Sequence, residues 1–185
     1  MRIEGTRSRW VWYWDSEEII GVEIALGHYL EALSGLRDGL AQRTRDADPF
    51  AFWESQFSGP QDDEVSRSIL PSAYRGDDAA DAGFHARHDV EEVAARWQDA
   101  QALRTDLDTL QRTGVIPMNP QTTQRWLRTV NALRVMMATR LGITDQISAD
   151  EVARLAQEDV DAQEERVYEW LGFVVEVLVE VELSE

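Results

Sequence analysis

Apolar residues recur at three- and four-residue spacing along most of this chain, which predicts helices. The clearest is NPQTTQRWLRTVNALRVMMATRLG, from Asn119 to Gly142. Asn119 suits the N-cap and Pro120 the first helical position, where its missing N–H costs nothing. Trp126, Val130, Leu133, Met137 and Leu141 fall on one stripe with Leu127 at its edge, and Gly142 fits the C′ position. Arg125, Arg128 and Arg140 project on the other side, toward solvent or acidic neighbours. Arg134 lies inside the apolar sector with Asn131 on its flank. There it must snorkel or meet a carboxylate, because an unpaired buried charge is prohibitive.

The other elements follow in order. Trp10 to Trp14 is an aromatic, β-branched run that reads as a short strand, half of a small hairpin using Gly5. Its three tryptophans alternate, so they share one face. That face either packs on the helical body or forms an aromatic docking patch. Asp15 to Glu18 starts a long helix running to about Arg43, with Ile19, Val22, Leu26, Tyr29, Leu33, Leu36 and Leu40 in near-heptad register. Asp48-Pro49 opens a short segment holding Phe50, Phe52, Trp53 and Phe57. Residues 58–78 read as an irregular loop. A helix over 78–87 meets a fresh D-x-x-E start at Asp89, and Thr113-Gly114 ends the stripe that follows. VIPMNP leads into the central helix, Ser148 to Glu151 forms a capping box, and Asp161 to Glu164 opens the last helix. The tail VVEVLVEVEL also alternates at period two, but the 4-3 register of Val167, Leu171, Val174, Leu178 and Val181 favours helix.

The sum is one all-α domain over 1–185, an antiparallel helical bundle of about four long and two or three short helices with a small N-terminal β element. At 185 residues and 43% hydrophobic, the chain can bury a real core.

Charge sharpens this picture. The net charge is -17, yet residues 109–144 carry five arginines and no acidic residue. The acidic balance argues against general nucleic-acid binding, which needs a basic footprint. There is no cysteine, and all 18 basic residues are arginine. That removes disulfides, thiolate chemistry, Schiff bases and a P-loop lysine. No apolar run approaches a membrane span and no signal peptide is evident, so a cytoplasmic protein is expected.

Chemistry-bearing constellations are few. Asp81, His85, His88 and Glu92 include helical spacings that suggest a metal site, but a helix start at Asp89 breaks their register. His28 has no predicted nucleophile beside it. No G-x-S-x-G elbow, Gly-rich phosphate loop or H-E-x-x-H is present. The chain reads as a non-enzyme without a cofactor.

The order ILPSAYRGDD, the D-V-E-E helix, WLRTVNALRVMMATRLGI and VYEWLGFVVEVLV resembles an actinobacterial domain-of-unknown-function family, number two thousand and seventeen. The most specific positions are Trp126, Leu127, Asn131, Leu133, Arg134, Thr139, Arg140, Leu141 and Gly142, supported by Tyr168, Trp170, Leu171 and Gly172. The resemblance implies a small helical cytoplasmic protein without an assigned activity. Such genes often lie beside that for the Clp adaptor ClpS and near a JAB-type metallopeptidase, which implies a link to regulated proteolysis.

Three functions are therefore in view. The first is an interaction or adaptor protein, coupled to a Clp-system component, using the Arg125, Arg128 and Arg140 face or the Trp10, Trp12 and Trp14 ribbon. The second is a ligand-sensing or transcription-related regulator with Arg134 and Asn131 in a pocket. The third is a metal-dependent enzyme using His85 and His88. Helices this apolar, notably the last, also lead us to expect a homodimer through an exposed stripe.

Overall fold

A computed structural model describes residues 2–6, 9–14, 16–45 and 64–183. The segment with Phe50, Phe52, Trp53 and Phe57 lies outside the described residues. The chain is all-α apart from one small sheet. Its elements are β1 (Arg2–Thr6), β2 (Arg9–Tyr13), α1 (Ser16–Arg45), α2 (Glu64–Ile69), α3 (Asp78–Thr113), β3 (Val115–Met118), α4 (Pro120–Arg140), α5 (Gln146–Glu158) and α6 (Gln163–Leu183). They divide into two compact units, one comprising Met1–Tyr29 with Asp99–Glu185, the other Leu30–Gln98.

In the first unit the N-terminal hairpin gains a third antiparallel strand. VIPM is strand β3 rather than a plain connector, pairing Trp10 with Met118 and Trp12 with Ile116. Gly114, at φ +70°, reverses the chain between α3 and β3, a left-handed conformation suited to glycine. The alternation of β2 puts Trp10, Trp12 and Trp14 on one buried face. Trp12 sits with its ring centroid 5.1 Å from Trp14 and 5.2 Å from Trp126 of α4. Trp14 continues the cluster to Trp170 of α6 at 5.7 Å. The sheet is thus bolted to two helices through five indoles.

The cap expected for α4 is present: Asn119 Oδ1 accepts from Thr122 N at 3.0 Å, with Pro120 behind it. Trp126, Val130, Leu133 and Met137 are buried as the periodicity predicts, and Thr123, Thr129 and Met136 widen the arc. Gly142, at φ +69°, ends the helix. Helix α6 runs antiparallel to α4, since Gln124 reaches Glu182 at one end and Arg140 reaches Glu164 at the other. The valine-rich tail is helical to Leu183. Its 4-3 register is decided by Leu171, Val174 and Leu178, which are all buried.

Other boundaries shift for local reasons. Helix α5 starts one turn before the expected box, because Asp145 is the N-cap. Its carboxylate accepts from Ser148 N while Ser148 Oγ accepts from Asp145 N. Helix α3 runs unbroken through Asp89, whose carboxylate is turned to His85 rather than to free amides. The expected loop over 58–78 contains α2, leaving 70–77 irregular. Over Glu18–Gln42, α1 does have the length and mean hydropathy, 1.3, of a membrane span. The same stretch carries the core residues Val22, Leu26, Tyr29 and Leu33, as a core helix would.

Replacing Trp12, which is wholly buried, removes the centre of the indole cluster. Trp12→Ala is expected to cost about 4 kcal/mol and Trp12→Phe distinctly less, measured by urea unfolding followed at Trp fluorescence.

Candidate functional site

The arginines of the acid-free window are largely committed. Asp106 of α3 accepts from Arg125 Nη2 at 2.7 Å and from Trp126 Nε1 at 2.8 Å through the same oxygen. Arg128 forks onto Asp99 through Nε and Nη2, and Arg140 meets Glu164 at 3.1 Å. What reads as a basic face is therefore neutralised by acidic residues from the elements before and after it. The aromatic ribbon is likewise spent inside the core, with Trp10, Trp12 and Trp14 each at most 6% exposed.

Among the described residues Arg134 meets no carboxylate. Its guanidinium lies 5.1 Å above the Tyr168 ring, a cation–π arrangement. Gly172 makes the room, since a Cβ there would meet Arg134 Nε at 3.3 Å. The Nε itself is buried without an acceptor. Asn131 is exposed, so the two do not share a pocket.

In the second unit the unbroken α3 places Asp81, His85 and Asp89 at successive turns. His85 Nδ1 lies 2.8 Å from Asp89 Oδ1, and its Nε2 is 3.6 Å from Asp81 Oδ2. Asp81 also accepts from Ala73 N at 2.7 Å and Tyr74 N at 3.0 Å, which latches the 70–77 loop to the helix. These amides, Tyr74 first, hold the Asp81 carboxyl below its ordinary value of 3.8. Glu92 is turned to Arg96 at 2.7 Å, and the His88 ring lies tilted against Phe84 with centroids 4.6 Å apart. Among the described residues no three of these groups converge as a metal would require.

One recess of the first unit was not foreseen. An open groove of about 650 Å³ lies among α1, α4 and α6, lined by Ile20, Gly21, Ile24, Ala25, Met137, Val167 and Trp170. Gly21 lets α6 approach, because a Cβ there would lie 3.0 Å from Val167 Cγ2. Ile20 and Ile24 are 51% and 53% exposed, and Trp170 extends the apolar surface to Phe173, at 5.3 Å and 45% exposed. Glu18, His28, Gln163, Glu164 and Arg166 complete the lining. Arg166 is anchored to the carbonyls of Asp159 and Val160 beyond the end of α5.

The family described as a domain of unknown function, DUF2017, matches residues 1–182. The chain belongs to the DUF2017 family. No curated protein and no solved structure matches it. Membership spans both units, so groove and latch alike lie within the DUF2017 domain.

Two features of this DUF2017 chain escaped sequence reasoning. Asp106 is one of many carboxylates, and only the fold chooses it as the partner of Trp126. Ile20 and Ile24 did leave a trace, as an i, i+4 apolar pair off the main stripe of α1.

Asp106→Ala strands both a buried indole N–H and Arg125, so it is expected to cost about 3 kcal/mol. Arg128→Ala, at a side chain 61% exposed, should cost under about 1 kcal/mol. Denaturant midpoints of the two variants check the difference. The Asp81 latch has a pH signature of known sign. A carboxyl with a lowered folded value contributes stability above its ordinary value and loses that contribution as pH falls through the lowered one. Ala73 and Tyr74 amide protection should therefore hold above about pH 4 and fade below it, read by hydrogen exchange.

Proposed function

We propose that this DUF2017 protein is a non-enzymatic interaction module that receives an apolar segment of a protein partner in the groove of its first unit. The observation that supports the reading is an exposed, contiguous apolar surface from Ile20 and Ile24 through Trp170 to Phe173. Singly exposed apolar residues are ordinary, but a recessed apolar surface with a polar rim marks binding. An amphipathic helix offering apolar residues one turn apart matches a groove bordered by helices. The groove's charged groups favour binding over chemistry, because Glu164 is held by Arg140 and Arg166 by backbone carbonyls. The net charge of -17 favours a partner with basic flanks. A component of Clp-type regulated proteolysis is the partner the family resemblance suggests, acting in the cytoplasm.

A second copy of the chain is the alternative occupant, favoured by the further exposed residues Val179 and Leu183 along α6. Affinity purification from the native host with wild-type and Ile20→Glu/Ile24→Glu baits tests both. Both changes fall on exposed positions, so the thermal midpoint should stay within about 3 °C. A partner retained by the wild type and lost at least tenfold by the variant supports the reading. Equal retention by both baits removes the groove as the docking surface. If the wild type sediments as a dimer and the variant as a monomer, the occupant is a second copy.

A further inference from the structure

The second unit contains a cleft of about 600 Å³ between the 69–73 segment and the first half of α3. One wall is apolar, formed by Ile69, Leu70 and Pro71, and another carries Phe84 with the His88 ring tilted against it. At its base lie two ionisable residues that the groove reading does not use. His85 is 8% exposed and Asp89 4% exposed, and both line the cleft. His85 Nδ1 pairs with Asp89 Oδ1 at 2.8 Å. Oδ2 makes no hydrogen bond among the described residues and keeps access to solvent, so it faces the cleft that Asp89 lines.

The remaining charge around the cleft has the same sign. Glu92 is neutralised by Arg96, but Glu91 lines the cleft with no ion pair among the described residues. The site thus offers one carboxylate oxygen of a largely buried residue, a second carboxylate at the rim, an aromatic ring and an apolar wall. Those are the complements of one cation on an alkyl stem. A planar guanidinium can bond to a carboxylate and stack on an aromatic ring at once. The volume is that of a small-ligand site.

We propose that this cleft binds an alkylguanidinium, its cation on Asp89 and its stem between Pro71 and Phe84. The shared chemistry comes from two sources, a free small guanidine or the arginine side chain of a peptide. The site is built by the latch, since Asp81 holds Ala73 and Tyr74 in place while bracketing His85. It lies wholly in the second unit, so it is independent of the groove and stands or falls separately.

The chain's three histidines make the test direct, because two line this cleft and His28 lines the groove of the other unit. The full-length protein is titrated with n-butylguanidinium and with a blocked arginine amide, following imidazole signals by NMR. n-Butylurea, of the same shape without charge, is the control. Saturable shifts of His85 and His88, with His28 unmoved and no response to n-butylurea, are expected. Binding should weaken as salt rises. Asp89→Asn retains an oxygen for His85 and should weaken binding at least tenfold. Glu91→Gln, at an exposed position, should weaken it several-fold with the fold intact by near-UV circular dichroism. Response to n-butylguanidinium alone assigns a small-molecule ligand, and response to the blocked arginine as well assigns a peptide side chain. No response at His85 and His88, an equal response to n-butylurea, or undiminished binding by folded Asp89→Asn or Glu91→Gln overturns the proposal.

Discussion

The first unit depends on the mutual packing of Trp10, Trp12, Trp14, Trp126 and Trp170. A three-stranded ribbon is marginal by itself and gains stability only by packing a face on something else. Here that face is three indoles deep, each ring worth a large apolar area and each neighbour in tilted or edge-on contact. The arrangement has a polar cost, since the Nε1 atoms of Trp12, Trp14 and Trp170 are buried without acceptors. Trp126 alone among the ring's helical partners has its donor satisfied by a charge, that of Asp106. Because that oxygen also holds Arg125, one carboxylate fixes the α4 register toward α3 while the indoles fix it toward the sheet and α6.

The same economy explains the acid-free window. A helix flanked by the acidic end of α3 and the acidic start of α6 is best served by arginine and worst by further carboxylates, given the repulsion of like charges at short range. The window is therefore a record of what surrounds α4. With Asp106, Asp99 and Glu164 in place, Arg125, Arg128 and Arg140 act as ties between helices, and the apolar surface around Ile20 and Ile24 is left exposed.

Much of this was legible in the residues. The cap at Asn119, the stop at Gly142 and the stripe through Trp126, Val130, Leu133 and Met137 are local signals with local outcomes. The helical reading of the valine-rich tail also follows from register alone. Signals that depend on what a side chain meets were misread. Asp89 has the look of a cap, and α3 passes straight through it because His85, one turn earlier, takes its carboxylate. Ser148 reads as the start of a box of which it is the last residue, at N3, since Asp145 offers a capping oxygen one turn upstream. β3 was missed because four residues broken by a proline carry little pattern until β2 lies beside them.

The long helices, the fold class and most of the core were set by the sequence by itself, because helix periodicity and capping act over a few residues and need no distant partner. Tertiary structure alone decided which of 35 carboxylates meet which of 18 arginines. It put Arg134 on the Tyr168 ring in the space Gly172 leaves. It buried the tryptophan ribbon and left Ile20 and Ile24 in the open. Each of those outcomes is set by residues far apart in the chain, and periodicity carries no information about which distant faces will meet.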